Sequence, residues 1–293
     1  MRKECVQVVR GLQDRITARL EALDGDRFRE DLWEREGGGG GCSRVLENGQ
    51  IFEKAGVNFS EVFGTLSEEF AAQLPGEGLE FSATGISLVL HPRSPMVPTV
   101  HANFRYVEKG DQAWFGGGAD LTPYYLFEED AVHFHSTWKT VCDRHDPAYY
   151  PRFKQWCDEY FFLKHRGEAR GVGGIFFDYL GKDEQGDTEQ VFPFWRDVGE
   201  AFLDAYVPIV ERRRDEASGD PERRFQLVRR GRYVEFNLIY DRGTVFGLKT
   251  GGRIESILMS LPPVVHYPYD FKVEPNSREE ALLEVVRNPR AWV

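Results

Sequence analysis

Apolar residues recur at three- and four-residue steps at the start of the chain. Val9, Leu12, Ile16, Leu20 and Leu23 predict an amphipathic helix over residues 3–23. Beyond it the period falls to two. Val45 to Phe52 reads as a hairpin with Asn48-Gly49 at its turn, and strands are predicted at 79–91, 98–109 and 171–179. The alternation is cleanest in 98–109: Val100, Ala102, Phe104 and Tyr106 share one face, and His101, Asn103 and Arg105 share the other. In the preceding strand Ser87, Val89 and His91 oppose Ile86, Leu88 and Leu90. Residues 229–263 also read as two strands around a tight turn. Val234, Phe236, Leu238 and Tyr240 alternate with Tyr233, Glu235, Asn237 and Ile239, and Asp241-Arg242-Gly243 forms the turn. Helices are predicted at 127–144, 151–165, 191–211 and 277–287, with Pro151 at a first helical position and Ser277 and Glu280 as a capping box. The run Gly37–Gly41 reads as a flexible loop and a candidate lid. Consecutive strands with short turns, and no βαβ rhythm, predict an α+β fold with a large, mainly antiparallel sheet. No linker divides the chain, so residues 1–293 are expected to form one domain, with 1–44 as its N-terminal helix and glycine-rich loop.

Composition narrows the function. A chain of 293 residues with 41% apolar and 29% charged residues is globular in type. Its 48 acidic and 37 basic residues give a net charge of −11, which argues against a nucleic-acid or anionic-membrane partner. No apolar run reaches the ~20 residues of a transmembrane segment. The N-terminus has no apolar signal-peptide core, and Glu4, Asp14, Glu21 and Asp24 interrupt a transit-peptide pattern, so a cytoplasmic location is expected. Cys5, Cys42, Cys142 and Cys157 form no C-x-x-C pair and read as reduced structural thiols.

Against the acidic background, 229–263 is basic, with Arg229, Arg230, Arg232, Arg242, Lys249 and Arg253 against Glu235, Asp241 and Glu255. Arginine forks pair bidentately with carboxylates, so this stretch is a candidate seat for an anion. The stripe His101, Asn103, Arg105 is a second candidate, against the alternative of a solvated sheet face. In Trp114–Pro123 three glycines permit close backbone approach beside Asp120, although neither dinucleotide nor Walker spacing is present. Thr122-Pro123 reads there as a helix cap. His133 and His135 point apart on a helix, and His165 reads as a helix-end cation. A metal site from His91, His101, His135 and His165 is scattered, and the spacing does not favour it. Arg166 and Arg170 read as surface ions.

The stretches HPRSPMVPTVHANFRY, WFGGGADLTPYY, EEDAVHFHSTWK, YPRFKQWCDEYFFLKHRGEARGVGGIFFDYL and RRGRYVEFNLIYDRGTVFGLKTGGRIESILMSLPP, in that order from about residue 45 to the C-terminus, resemble oxygen-dependent coproporphyrinogen III oxidase. The resemblance implies a sheet with helices on both faces and a homodimer whose contacts involve the segment from Arg232 onward. It implies oxidative decarboxylation of the ring A and B propionates of coproporphyrinogen III to vinyls, with O₂ as co-substrate and CO₂ and hydrogen peroxide released. His101 falls on the proton-donor position; Ser87, Asn103-Phe104-Arg105 and Gly251-Gly252-Arg253 fall on substrate contacts. His91, His101, His135 and His165 fall on positions described as divalent-metal ligands in some bacterial members, though no required cofactor is favoured.

A substrate with four propionates and four pyrrole N–H groups needs arginines and a carboxylate acceptor. Arg105, Arg242 and Arg253 are the expected propionate clamps, Asp120 or Asp241 the expected pyrrole-facing carboxylate, and His101 the proton carrier. Two rival classes remain: a tetrapyrrole binder without turnover, which shares the arginines but has no need of His101 and Asp120, and a metal-dependent oxygenase built on the four histidines.

Overall fold

The computed structural model describes residues 1–181, 187–249 and 251–293. Its centre is a seven-stranded, fully antiparallel sheet in the order β1 (Arg29–Glu34), β2 (Gly39–Glu47), β3 (Phe52–Thr65), β4 (Glu80–Pro92), β5 (Thr99–Lys109), β6 (Gln112–Thr122) and β9 (Gly173–Leu180). Strand order follows chain order through β6, as short connections dictate. One sheet face is sealed by α1 (Arg2–Asp24), α3 (Glu128–His145), α4 (Tyr149–Tyr160), α5 (Thr188–Glu200) and α6 (Phe202–Arg213). Val9, Leu12, Ile16 and Leu20 of α1 join Val57, Leu88, Ala102, Phe104 and Ile175 in one buried core. Over the other face lie α2 (Glu68–Ala71), α7 (Asp220–Ile239), α8 (Arg242–Lys249) and α9 (Ile254–Leu258), while α10 (Arg278–Arg287) packs near the C-terminus. The α+β architecture and its helices on both faces agree with the sequence reading.

Residues 229–263 do not form strands. Helix α7 runs unbroken to Ile239, and α8 and α9 follow. Eight residues of alternation can be met by either period. What hid the helix is its polar interior. Gln226, Arg229, Arg230 and Asn237 are buried among Phe225, Tyr233 and Phe236, so no clean apolar stripe marks the 3.6-residue repeat. Its start was marked, by Pro221 in the first turn beside Asp220 and Glu222.

Other boundaries shift for identifiable reasons. Gly39–Gly41 belong to β2 and pair with β1 and β3, so the glycine run is largely sheet and lies away from the main cavity. The β2–β3 turn is longer than an Asn-Gly pair, because the Asp24 carboxylate accepts the N–H groups of Gln50, Ile51 and Phe52 at 2.8–2.9 Å. The predicted 191–211 helix is two helices meeting at Ala201. Within α6, Pro208 lacks an N–H, and the Asp204 carbonyl four residues earlier accepts from His133 Nε2 at 2.9 Å instead. Helix α4 begins at Tyr149, so Pro151 is its third residue, and it stops at Tyr160. His165 therefore sits at the tip of the hairpin β7 (Phe162–Leu163)–β8 (Glu168–Ala169), not at a helix end. Trp114–Thr122 lies within strand β6, and Thr122 ends that strand rather than capping a helix.

Candidate active site

A cavity of about 700 Å³ opens between the second sheet face and the helices above it, within the range of small-molecule sites. Its floor is the polar stripe anticipated from the sequence. Ser87 of β4 and His101, Asn103 and Arg105 of β5 line it, while Phe104 points the other way into the core. Phe104 is thus a packing residue rather than a ligand contact, as strand alternation requires. Register sets the neighbours: Ser87 pairs across the sheet with Asn103 and then Gly118, and Val89 with His101 and then Asp120. The cavity glycines are shaped by the sheet itself. A Cβ on Gly118 would sit 2.5 Å from the Ile175 carbonyl oxygen.

Because His101 and Asp120 are directly opposed, their side chains meet: His101 Nδ1 lies 2.9 Å from Asp120 Oδ1. Asp120 is 1% exposed and does not line the cavity. Arg170 grips it with two charge-assisted bonds, Nε to Oδ2 at 2.8 Å and Nη2 to Oδ1 at 2.7 Å, and donates Nη1 to Asn237 Oδ1 at 2.9 Å. The guanidinium is packed against the rings of Phe161, Tyr233 and Phe236. Burial alone would raise the Asp120 pKa, but the charge and hydrogen bonds of Arg170, with the bond from His101, outweigh it and hold the carboxyl at about 2. An ionised carboxylate only accepts, so His101 Nδ1 carries the proton and Nε2 is the nitrogen left for a cavity ligand.

Two sequence expectations change here. Asp120 is not presented to the cavity as a carboxylate acceptor, since it is buried behind His101 and bound by Arg170. Arg170, read as a surface ion, is 2% exposed and is the centre of this network. A buried strand aspartate demands a cation, but the sequence showed neither that Asp120 is buried nor which arginine answers it.

The roof carries Asp241 and Arg242 at the start of α8. Asp241 lines the cavity, accepts from Tyr160 Oη at 3.0 Å and caps the Thr244 N–H at 2.8 Å. Arg242 lies over the Tyr160 ring and is 54% exposed. Most of the basic block is neutralised internally: Arg229 by Glu168, Arg230 by Glu53 and Arg232 by Glu235. Arg253 donates to Asp31 at 2.6 Å and to Ser256 at 3.0 Å, and neither it nor Gly251 nor Gly252 lines the cavity. These three expected substrate contacts are therefore not brought to the site. Among the lining residues that sequence reasoning missed are Asp178, which faces Arg105, Tyr160, and Tyr233, whose buried hydroxyl makes no hydrogen bond of good geometry among the described residues.

The four histidines do not converge. His91 donates Nε2 to the Ser260 carbonyl at 2.8 Å, and its Nδ1 lies 3.2 Å from Thr99 Oγ1. His135 donates to the Val172 carbonyl and accepts from Tyr150 Oη. His165 contacts Glu235 and Tyr240 at the surface. Among the described residues no three His, Cys, Asp or Glu side chains are grouped as metal ligands.

The family model of coproporphyrinogen III oxidase matches residues 4–292. Curated relatives named oxygen-dependent coproporphyrinogen-III oxidase include those of Synechococcus sp. (strain CC9605), 53% identical over 100% of this chain and 88% of the relative, and Parasynechococcus marenigrum (strain WH8102), 54% identical over 98% and 86%. The protein of that name from Prochlorococcus marinus (strain MIT 9313) is 52% identical over 99% and 90%. A match from residue 4 to 292 and identity above half across the chain place it plainly: it belongs to the coproporphyrinogen III oxidase family.

Proposed function

We propose that this chain converts coproporphyrinogen III to protoporphyrinogen IX with O₂ as oxidant. The observation that carries the reading, beside family membership, is a single cavity with a histidine–aspartate–arginine network on its floor and arginines on both walls. Arg105 from the sheet and Arg242 from α8 would hold propionates, Lys249 adding positive charge at the rim. Ser87 and Asn103 supply neutral polar contacts on the floor. Of the two aspartates that line the cavity, Asp178 is engaged with Arg105, and Asp241 is the one suited to the pyrrole N–H groups.

The chemistry balances for each propionate. The β C–H bond and the bond to the carboxylate break, a vinyl C=C forms and CO₂ leaves. The β-hydrogen and its electron pair pass to O₂, and one proton completes hydrogen peroxide. Hydrogen bonds from the pyrroles to Asp241 would enrich the macrocycle enough to react with O₂ without a further redox cofactor. His101, with Nδ1 fixed on Asp120, would deliver or accept protons through Nε2. Arg170 keeps Asp120 ionised, so it orients rather than titrates.

A homodimer is part of this reading, supported by the exposed apolar residues Leu238, Ile239, Leu248 and Ile254 around the ends of α7–α9. A reducing, cytoplasmic setting fits the four free, buried cysteines, and no helix among the described residues is long and apolar enough to cross a membrane. The test is coproporphyrinogen III turnover in air, before and after stringent chelation. Vinyl product with peroxide and two CO₂, unchanged by chelation, is expected. No product would leave a binding protein, and activity lost to chelation and restored by metal would leave a metalloenzyme.

A further inference from the structure

Asp178 is a carboxylate in a cavity that must attract carboxylates, and affinity alone does not explain it. Its Oδ2 lies 2.7 Å from Arg105 Nη2 and 3.8 Å from Arg242 Nη2, so one buried carboxylate stands between the floor arginine and the roof arginine. Three features of the backbone exist around that contact. Arg105 is flanked across the sheet by Gly85 and Gly116, and a Cβ on Gly116 would lie 2.6 Å from Asp178 Oδ1 and 2.8 Å from Arg105 Cζ. The register of β6 against β9 slips between Phe115 and Gly117, beside the same residues. Tyr179 holds a φ of 58°, a left-handed conformation that a side chain as large as tyrosine adopts only under constraint, and its N–H donates to Asp178 Oδ1 at 3.1 Å. Arg105 is further fixed by donating Nη1 to Asn103 Oδ1 at 2.9 Å.

We propose that Asp178 is a positioning and specificity residue that sets the spacing of Arg105 and Arg242, so that the pair accepts one register of propionates and repels porphyrinogens carrying additional carboxylates. The inference rests on the reading that these two arginines hold propionates. Asp178 is only 8% exposed, whereas Arg105 and Arg242 are 30% and 54% exposed, so the arginines keep N–H donors facing the cavity while Asp178 occupies the space between them. A substrate carboxylate can engage the outer donors of each guanidinium. A carboxylate placed between them meets a like charge, which is discrimination by repulsion. A porphyrinogen with an acetate beside every propionate cannot avoid that placement.

The test compares the full-length enzyme with Asp178→Asn, Gly116→Ala, Arg105→Ala and Arg242→Ala. It reads kcat and KM for coproporphyrinogen III and the inhibition constant of the octacarboxylic porphyrinogen with four acetates and four propionates. Asp178→Asn is expected to lower kcat at least tenfold with KM unchanged or lower, and to tighten octacarboxylate inhibition at least fivefold. Gly116→Ala, which forces Asp178 and Arg105 apart, should reproduce the kcat loss, and it carries the test if Asp178→Asn does not fold. A tenfold rise in KM with no change in octacarboxylate inhibition, or kinetics equal to the parent, would overturn the proposal. If Arg105→Ala and Arg242→Ala both leave KM unmoved, the propionate-clamp reading itself fails, whatever Asp178→Asn does.

Discussion

On the floor of the cavity, His101, Asn103 and Arg105 stand on a strand whose opposite face, Val100, Ala102 and Phe104, is sealed into the main core. On the roof, Asp241 and Arg242 stand where α7 gives way to α8, held by a tyrosine hydroxyl, a helix cap and an exposed guanidinium over an aromatic ring. The floor side chains are fixed by register across four paired strands; the roof side chains are fixed by a few polar contacts. A rigid floor suits groups that must act at a defined atom, since geometry controls rate steeply. A less constrained roof suits charges that gather and hold a polyanion. On the proposed reading, the difference would put proton transfer on the sheet, at His101, and leave Arg242 of the roof to hold substrate.

The comparison breaks most readily at Arg170. Removing it leaves the Asp120 carboxyl buried without the cation that keeps it ionised, and loss of one member of such a pair costs about 3–5 kcal/mol. Arg170→Ala is therefore expected to lower unfolding free energy by about that amount in urea and to abolish turnover. Parent-like stability would mean that the floor is not built on this pair.

Acid should loosen the seam between floor and roof. His91 of β4 donates to the Ser260 carbonyl just beyond α9, and burial, together with the charge of Arg230, pushes its pKa well below the usual range. His135, within the layer behind the sheet, is held at about 3 by burial. Both are neutral when folded, whereas the unfolded chain takes up a proton near pH 6.5. The unfolded state therefore binds more protons below that pH. Stability is fully present above about pH 6.5 and falls as pH drops, by about 1.4 kcal/mol per pH unit for each histidine. Urea midpoints measured from pH 7.5 to 5 should fall accordingly, and His135→Gln should flatten the profile by about half. An unchanged slope in that variant would show that His135 is not buried neutral.

The smallest effect is expected at Arg253. It is tied to Asp31 at the partly exposed edge of the molecule, and such pairs contribute about 0–1 kcal/mol. Arg253→Ala should leave KM within about twofold of the parent. A tenfold rise would restore it to the substrate site, where the sequence had placed it.

The two regions were not equally readable. Alternation at 98–109 showed which residues of β5 face the cavity, because a half-buried strand repeats every second residue and its core face is plainly apolar. The same rule failed on 233–240. A helix that buries Gln226, Arg229, Arg230 and Asn237 through paired charges and amides shows no apolar stripe, so a short alternating run looked like a strand. The partners of those charges, Glu168 and Glu53, lie some 60 and 180 residues away, and only the fold brings them together. Asp120 was legible as a candidate carboxylate, but its burial, the arginine that answers it and its position behind His101 depend on the β6 register and the β8–β9 connection. Asp178 shares the cavity face with Phe176 by plain alternation, but in a run as apolar as Ile175-Phe176-Phe177 nothing in the sequence named Arg105 as its partner.

The division between floor and roof is tested most directly by steady-state kinetics of His101→Gln and Arg242→Ala on coproporphyrinogen III, measured side by side. Removing the proton carrier is expected to lower kcat by about 100-fold or more with KM within about threefold. Removing the roof arginine is expected to raise KM by roughly 10- to 100-fold with kcat little changed, as for a charged hydrogen bond used equally in binding and reaction. The reverse pattern, with His101→Gln moving only KM and Arg242→Ala moving only kcat, would contradict the placing of proton transfer at His101 and of substrate retention at Arg242.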